Sequence, residues 1–248
     1  MSCGLLEAKT AFVTGGATGL GFAIVTAFAA AGASGIAFDS QAAGQPLPKG
    51  WSHRVGDVRD EESLGDALIA LKLEGLDLLV ANAGIVPPWR ESEAIDLNEW
   101  DNAFAVNVRG VIATIKQATP LMKTRGGSII VMASINARVG HAHQAAYVAS
   151  KHAVLGIVRS VAQDLGRYAI RVNALCPGPI ATKALLARLR QRAKGSGPSE
   201  EDTMKQYSKT ALGRIATAEE VANVALFLAS DLSSGMTGQA IAVDAGAA

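Results

Sequence analysis

Apolar residues along the chain alternate between short continuous runs and longer stretches with helical spacing. Several runs, such as Ser-Ile-Ile-Val-Met-Ala, lack intervening polar positions, which is typical of parallel strands buried on both faces. Strands are predicted in this way at Thr10–Thr14, Gly35–Asp39, His53–Val58, Leu76–Ala81, Ser128–Ala133, Ile170–Leu175 and Ala240–Val243. Helices are predicted at Gly19–Ala31, Glu61–Leu73, Asn98–Thr124, Gln144–Tyr168 and Ala218–Ala229. The alternation predicts an α/β fold with a doubly wound, seven-stranded parallel sheet and helices on both faces.

Local signals mark where some helices begin and where none is expected. Asp96 is predicted to cap the helix that follows it, and Thr217 to open the last helix with a capping box. The segment 41–50 contains two prolines and two glycines, so we expect a short loop or a single turn there. Residues 182–210 read as a helical insertion interrupted by Lys194–Ser199, and this insertion is predicted to be a flexible lid.

Composition and charge narrow the classes of function. The chain has 248 residues, 49% of them hydrophobic, and no linker or repeat divides it, so we expect one domain over 1–248. The net charge of +1 favours neither nucleic acid nor an anionic membrane as a partner. We expect no signal peptide and no membrane span, because no long apolar run is present. Cys3 and Cys176 form no metal-ligand pattern, so no metal site is predicted and a reducing, cytoplasmic location is favoured.

A glycine-rich turn, Thr-Gly-Gly-Ala-Thr-Gly-Leu-Gly, joins the first strand to the first helix. Its N–H groups and the helix N-terminus can face an anion, and Gly21 lets the helix pack close to the sheet. A tight turn without a ligand is the alternative. Asp39 ends the second strand, where a carboxylate can bind ribose hydroxyls and repels a 2′-phosphate, although it can also be a turn residue. Since neither Thr18 nor Ser40 is basic, we expect NAD, with NADP disfavoured.

Further cofactor candidates lie at the ends of later strands. Asp57 and Val58 are predicted to end the third strand, near the expected adenine, although Asp57 can equally be a turn or cap residue. The fourth strand is followed by Asn82, Ala83 and Gly84. Small residues there permit close approach of the backbone to a cofactor, and Asn82 can brace neighbouring strands.

Three polar residues after the fifth strand form a candidate catalytic group. Ser134 closes that strand, and Tyr147 and Lys151 are four residues apart, which would place them on one face of a helix. A nearby ammonium is expected to lower the pKa of the Tyr147 phenol, and the positive ring of an oxidised nicotinamide would lower it further. Tyr147 would then act as a proton shuttle for an alcohol or carbonyl whose oxygen Ser134 also binds. On these residues alone, three unrelated polar side chains are an equal alternative.

Six motifs taken together resemble those of the short-chain dehydrogenase/reductase family. They are TGGATGLG, ANAG, VNV, ASI, YVASK and CPGPIAT, and their order and spacing cover essentially the whole chain. The resemblance implies a Rossmann-like domain, a nicotinamide cofactor, a Ser–Tyr–Lys core and a homotetramer built on the helices 98–124 and 144–168. Ala81 stands where the family usually has the first of two asparagines.

The resemblance also assigns roles to further residues. Asn107 matches a fourth catalytic residue, an asparagine that bends its helix and holds a water leading to the lysine; a helix-interior asparagine with satisfied hydrogen bonds is the alternative. Lys151 would reach the nicotinamide ribose. Residues 177–182 match the loop that flanks the nicotinamide, where the Ile180 backbone and the Thr182 hydroxyl would contact its carboxamide.

The cofactor site implied by motif and position comprises Gly15, Thr18, Gly19, Leu20, Gly21, Asp39, Asp57, Val58, Asn82, Ala83, Gly84, Tyr147, Lys151, Pro177, Gly178, Ile180 and Thr182. By family position, the candidates for the wall of the substrate pocket are Trp89, Asn136, His141 and Gln144. Three of these four are polar, which favours a hydroxylated small molecule such as a polyol or sugar over a steroid.

The predicted function is that of an NAD-dependent short-chain alcohol dehydrogenase or ketone reductase. An NADPH-dependent 3-ketoacyl-thioester reductase is the second hypothesis, because a run of basic residues follows Thr182. These are Lys183, Arg188, Arg190, Arg192 and Lys194. A solvated helix face is the simpler interpretation of that run, and attraction of an acidic substrate is a third. A non-catalytic cofactor-binding regulator with the same fold is disfavoured because the Ser, Tyr, Lys and Asn are all present.

Overall fold

A parallel sheet of seven strands forms the centre of the computed structural model, which describes residues 4–71, 75–195 and 197–247. The strands are β1 Thr10–Thr14, β2 Ser34–Asp39, β3 Trp51–Val55, β4 Leu78–Ala81, β5 Gly127–Met132, β6 Ile170–Pro177 and β7 Ala240–Val243. Their order in the sheet is β3-β2-β1-β4-β5-β6-β7, and all neighbours are parallel. The predicted doubly wound sheet is confirmed. The direction of winding reverses between β1 and β4, which is where open α/β sheets bind ligands.

Helices cover both faces of the sheet. They are α1 Gly19–Ala30, α2 Glu61–Ile69, α3 Leu97–Phe104, α4 Gly110–Met122, α5 Ala145–Leu165, α6 Lys183–Ala193, α7 Glu200–Tyr207 and α8 Ala218–Ala229. One hydrophobic core lies under α2, α4 and α5, and the other lies under α1 and α8. Adjacent strand residues divide between them, since Phe12 belongs to the first core and Val13 to the second. Burial on both faces explains why the strands read as unbroken apolar runs.

Both predicted helix caps form. The Asp96 carboxylate accepts from the N–H groups of Asn98 and Glu99 at the start of α3. At the start of α8, the Thr217 hydroxyl accepts from the N–H of Glu220, and the Glu220 carboxylate accepts from the N–H of Thr217. The segment 41–50 contains no helix, as its prolines and glycines predict. The insertion 182–210 consists of α6 and α7, which pack on each other; Ser196 in its predicted loop lies outside the described residues.

Several predicted boundaries are wrong. The third strand runs over Trp51–Val55, so Asp57 and Val58 lie in the turn after it rather than at its end. β3 is an edge strand whose Val55 is 65% exposed, and therefore it lacks the continuous apolar pattern. The fifth strand ends at Met132, and Ser134 follows in extended backbone. The second predicted helix ends at Ile69, and the last part of its predicted range lies outside the described residues.

The helix predicted over Asn98–Thr124 is interrupted. Its first part is α3 and its last part is α4, and between them Ala105–Arg109 forms a π-helical turn centred on Asn107. Such turns insert an additional residue into an α-helix and occur frequently at functional sites. The bend that the resemblance implies stays a prediction, and the structure places this turn at the same residue.

Candidate active site

A cavity of about 1560 Å³ opens along the carboxyl ends of β1, β2, β4, β5 and β6. All the candidate cofactor and substrate residues named from the sequence line it, as do Ser134, Tyr147 and Lys151. Asn107 is the exception, because it lies beneath the wall. The parallel sheet thus brings residues from distant parts of the chain to one edge, as expected for a doubly wound fold.

The glycine turn after β1 has the shape needed to hold a diphosphate. Gly15 and Gly19 have φ angles of 62° and 54°, which favour glycine. A Cβ atom on Gly21 would collide with the carbonyl oxygen of Gly15, so only glycine lets α1 begin this close to the turn. A Cβ atom on Gly19 would meet only the Thr182 methyl group, at 3.9 Å. The turn and the N-terminus of α1 therefore fit the anionic part of a dinucleotide.

Asn82 ties the glycine turn to the end of β4. Its side-chain amide donates to the carbonyl oxygens of Thr14 and Gly15, both at 3.0 Å. The Thr14 hydroxyl accepts from the N–H groups of Asn82 and Ala83, both at 3.1 Å. This network braces neighbouring strands, as expected for Asn82, and fixes both loops along the cavity.

The Asp39 carboxylate lies against the glycine turn at the end of β2. Its two oxygens accept from the N–H groups of Ala17 and Gln41, each at 3.1 Å, and retain capacity for further donors. Arg59 lines the same part of the cavity but is held by Asp57, with Nη2 at 2.6 Å from Oδ2. Hydrogen bonds from Arg59 lower the pKa of the Asp57 carboxyl. The turn interpretation of Asp39 and the ribose-binding interpretation are therefore compatible.

Ser134, Tyr147 and Lys151 meet at the opposite end of the cavity. Tyr147 and Lys151 lie one turn apart on α5, and the Lys151 Nζ is 5.8 Å from the centre of the Tyr147 ring. The Ser134 hydroxyl accepts from the N–H of Asn136 and hydrogen-bonds the Tyr147 phenol. The Lys151 Nζ donates to the carbonyl oxygen of Met132 at 2.7 Å. A serine, a phenol and an ammonium therefore converge, as the sequence predicts.

The predicted direction of the Tyr147 pKa shift is wrong for this geometry. Burial raises the pKa of the phenol, and the hydrogen bond from Ser134 and the charge of Arg188 oppose that rise. Burial also lowers the pKa of Lys151, from 10.5 to about 8. Removal from water disfavours both the phenolate and the ammonium, and it is the largest cause of both shifts.

Asn107 supports the catalytic group from below. Its Oδ1 accepts from the N–H of Ile85 at 2.8 Å, and its Nδ2 donates to the Ile85 carbonyl at 2.9 Å and to the Ser150 hydroxyl at 3.1 Å. A Cβ atom on Gly84 would stand 3.3 Å from Asn107 Oδ1 and 3.6 Å from Lys151 Nζ. Asn107 thus joins the loop after β4 to α5 next to the lysine. The implied water relay stays a prediction.

The four substrate candidates line the wall beyond Ser134, and two of them pair. The Asn136 amide donates to the Gln144 side-chain oxygen at 2.8 Å. The ring of Trp89 lies under the guanidinium of Arg192 on α6, at 4.9 Å from the ring centre, and this contact joins the insertion to the opposite wall. The Thr182 hydroxyl, predicted to contact nicotinamide, also caps α6 by accepting from the N–H of Leu185.

Arg188, which the sequence presents only as one member of a basic run, is a residue of the site. It lines the cavity from α6, and its charge acts on the phenols of Tyr147 and Tyr207. The signal lies in the helical spacing, because positions 185, 188, 189 and 192 fall on one face. Leu185 and Leu189 on that face are buried, and so Arg188 and Arg192, on the same face, point inward.

The part of the chain that the structure describes contains neither a metal-binding cluster nor a membrane-spanning helix. Among residues 4–71, 75–195 and 197–247, no three His, Cys, Asp or Glu side chains are grouped to hold a metal ion. Over the same ranges, the structure contains no helix with both the length and the apolar character needed to cross a membrane. Cys176 is buried and unpaired, and Cys3 lies outside those ranges.

A family model described as enoyl-(acyl carrier protein) reductase matches residues 15–248. Short-chain dehydrogenase reductase 3c of Arabidopsis thaliana is 38% identical, over 97% of this chain and 95% of the relative. Xanthoxin dehydrogenase of the same plant is 37% identical, over 97% and 90%. D-beta-hydroxybutyrate dehydrogenase of Rhizobium meliloti is 32% identical, over 96% and 98%.

Two of the solved structures that resemble this protein are also dehydrogenases. Aldohexose dehydrogenase of Thermoplasma acidophilum superposes with a TM-score of 0.90 at 30% identity, covering 98% of this chain and 95% of that one. Carveol dehydrogenase of Mycobacterium avium, in complex with NAD, superposes with a TM-score of 0.88 at 30% identity, covering 98% of each chain.

Proposed function

The chain belongs to the short-chain dehydrogenase/reductase family of NAD(P)-dependent alcohol oxidoreductases, and from this premise we propose that it transfers a hydride between NAD(H) and a secondary alcohol or ketone. The observation that carries the proposal is the meeting of Ser134, Tyr147 and Lys151 at one end of a cavity whose other end is the glycine turn. A dinucleotide placed along that cavity would extend from Asp39 towards Tyr147.

Each catalytic side chain has a role that follows from its position. As a phenolate, Tyr147 would take the proton of the carbinol during oxidation, and as a phenol it would return that proton during reduction. The Ser134 hydroxyl, already bonded to Tyr147, binds the same oxygen and stabilises charge on it. Lys151 holds the ribose, and Asn107 fixes the loop beside it. When bound, the cofactor supplies the ring that accepts or donates the hydride, and in its oxidised form a positive charge that favours the Tyr147 phenolate.

Asp39 supports NAD rather than NADP. Its carboxylate stands at the end of β2 beside the glycine turn, where a 2′-phosphate would meet its negative charge. Arg59, which could offset that charge, is engaged by Asp57. The NAD-bound state of the carveol dehydrogenase is consistent with this preference.

The decisive experiment is a substrate screen with both cofactors. The panel pairs each cofactor with neutral secondary alcohols, polyols and aldohexoses, with 3-hydroxybutyrate and 4-hydroxycyclohexanecarboxylate, and with a 3-ketoacyl thioester for the reverse direction. Formation or loss of reduced nicotinamide is followed by its absorbance. We expect turnover with NAD; turnover mainly with NADP would reject the cofactor preference, and NAD binding without any turnover would favour the regulator.

Tyr147→Phe is the variant that tests the assignment of the acid–base group. It removes only the hydroxyl, so kcat should fall about 10²- to 10⁴-fold. NADH binding, measured by fluorescence, should remain close to that of the unaltered protein. A variant that binds NADH and keeps its turnover would reject the mechanism.

Two features of the proposal concern the whole protein. We retain the homotetramer that the family resemblance implies, built on α4 and α5, and Ile112 on α4 is 40% exposed, which suits a buried contact. The cytoplasmic location likewise stays a prediction. Light scattering of the purified chain would test the assembly.

A further inference from the structure

Arg188 is a partly buried cation that the catalytic mechanism above does not use. It lies on the inward face of α6, and its Nε atom is buried without a hydrogen-bond partner among the residues that the structure describes. Burial lowers the pKa of its guanidinium, while the Tyr147 and Tyr207 hydroxyls act on it electrostatically in the opposite direction. A guanidinium group with a buried, unpaired donor is unfavourable unless an acceptor reaches it.

The charges around the cavity divide between its two ends. Of the described residues that line it, the carboxylates are Asp39 and Asp57, and both lie on the cofactor side, where Asp57 is paired with Arg59. The insertion contributes Lys183, Arg188, Arg192 and Lys209 to the lining, and among them Arg188 acts electrostatically on the Tyr147 phenol at the other end. A wall with cations and no carboxylate favours an anionic group in the substrate.

We propose that the substrate is a hydroxy carboxylate, or the corresponding keto acid, whose carboxylate is bound by Arg188. This inference rests on the proposed function and deepens it by naming a substrate class. The planar guanidinium lines the cavity and can bind a carboxylate through two hydrogen bonds. The carbinol oxygen lies between Ser134 and Tyr147, and Arg188 is within electrostatic range of that phenol.

The chemical balance of the reaction is simple. The carbinol carbon gives its hydride to oxidised nicotinamide, and the hydroxyl gives its proton to Tyr147, so the hydroxy acid becomes a keto acid. The carboxylate keeps its bonds throughout and serves only to hold and orient the substrate. Its charge also compensates Arg188, which would otherwise remain partly buried without a counter-ion.

Kinetics with matched substrates test the role of Arg188. Each hydroxy acid is compared with its neutral amide of the same length, using 3-hydroxybutyrate, 4-hydroxypentanoate and 4-hydroxycyclohexanecarboxylate. The unaltered protein should prefer at least one acid over its amide in kcat/KM. Arg188→Gln should reduce that preference about 30-fold or more, and Arg188→Lys should restore part of it. Arg190→Gln is the matched control, because Arg190 lies on the same helix but is paired with Glu200 outside the cavity.

Calorimetry supplies a readout that is independent of turnover. Cyclohexanecarboxylate and cyclohexanecarboxamide, which cannot react, are titrated into the protein with and without NADH. The carboxylate should bind more tightly, and Arg188→Gln should abolish the difference while the thermal unfolding midpoint stays within a few degrees.

The outcomes separate the two proposals. Equal turnover of acids and amides, or equal losses for both in Arg188→Gln, would reject the carboxylate site and leave the oxidoreductase intact. If the panel shows no turnover at all, the calorimetric difference alone decides: a carboxylate preference lost in Arg188→Gln supports the site, and its absence in the unaltered protein overturns it.

Discussion

Replacing Lys151 should make the protein more stable and inactive at the same time. Burial lowers the pKa of this lysine from its ordinary 10.5 to about 8. At about 1.4 kcal/mol for each pH unit, this fall corresponds to about 3 kcal/mol of unfavourable energy when the ammonium is charged in the folded state. Lys151→Met keeps the length of the side chain and removes the charge. It also removes the hydrogen bond to Met132, which is worth about 1.5 kcal/mol because its donor is charged.

At pH 7 we therefore expect Lys151→Met to unfold with a free energy about 2 kcal/mol higher than the unaltered protein. The difference in stability between the two proteins should also depend on pH. Below pH 8 the lysine is charged in both the folded and the unfolded chain, and the full penalty applies. Between about pH 8 and 10.5 the folded chain loses its proton first, so the penalty shrinks and the advantage of the variant should disappear.

Urea unfolding at pH 7 and near pH 10, at one protein concentration and without cofactor, measures both values. Lys205→Met is the matched control, because Lys205 is an exposed lysine on α7 and its loss should change stability little at either pH. Turnover by Lys151→Met should fall below detection. A variant less stable than the unaltered protein at pH 7, or an advantage that does not change with pH, would refute the reasoning.

Two further substitutions test the supports of the site. Asn107→Ala leaves the N–H and carbonyl of Ile85 unpaired. We therefore expect urea unfolding to give a free energy of unfolding about 1 to 3 kcal/mol lower, and steady-state kinetics to give a kcat at least 10-fold lower. An unchanged kcat would remove Asn107 from the mechanism. Asp39→Ala should lower the ratio of kcat/KM for NAD over NADP at least about 10-fold. The variant no longer repels the 2′-phosphate of NADP, and a change of about 1.4 kcal/mol in that interaction corresponds to a factor of ten. Asp39→Asn, which keeps an acceptor for Ala17 without the charge, should lower the same ratio, and a ratio unchanged in both variants would mean that Asp39 only shapes the turn.

Apolar runs and capping signals in the sequence locate some elements to the residue. β1, β7 and α8 have the predicted bounds, and α8 also carries a complete capping box. The predicted bounds of β3 are wrong because this edge strand exposes residues such as Val55, and its apolar pattern is therefore incomplete. β7 is the other edge strand, and its short apolar run still marks its bounds.

The catalytic group was predictable for a topological reason. Parallel strands bring their carboxyl ends to one edge, so Ser134 and the helix that follows had to lie near the glycine turn. The acidity of Tyr147 was not predictable, since it depends on how completely α6 and its neighbours exclude water from the phenol. The position of Arg188 in the cavity was not predicted, for a related reason. It stands in a run of basic residues, and only the spacing from Leu185 and Leu189 separates it from those that face solvent.

The π turn at Ala105–Arg109 makes the exact number of residues in the segment from α3 to α4 important. An α-helix turns about 100° for each residue, so the additional residue of a π turn rotates everything after it by about that angle. One length of helix can thereby pack α3 on α5 and α4 on α2 and β4. Deletion of a single residue would restore an ordinary helix and move Asn107 away from Ile85 and Ser150. At its positions other than Asn107, the segment should therefore tolerate changes of residue identity better than changes of residue number.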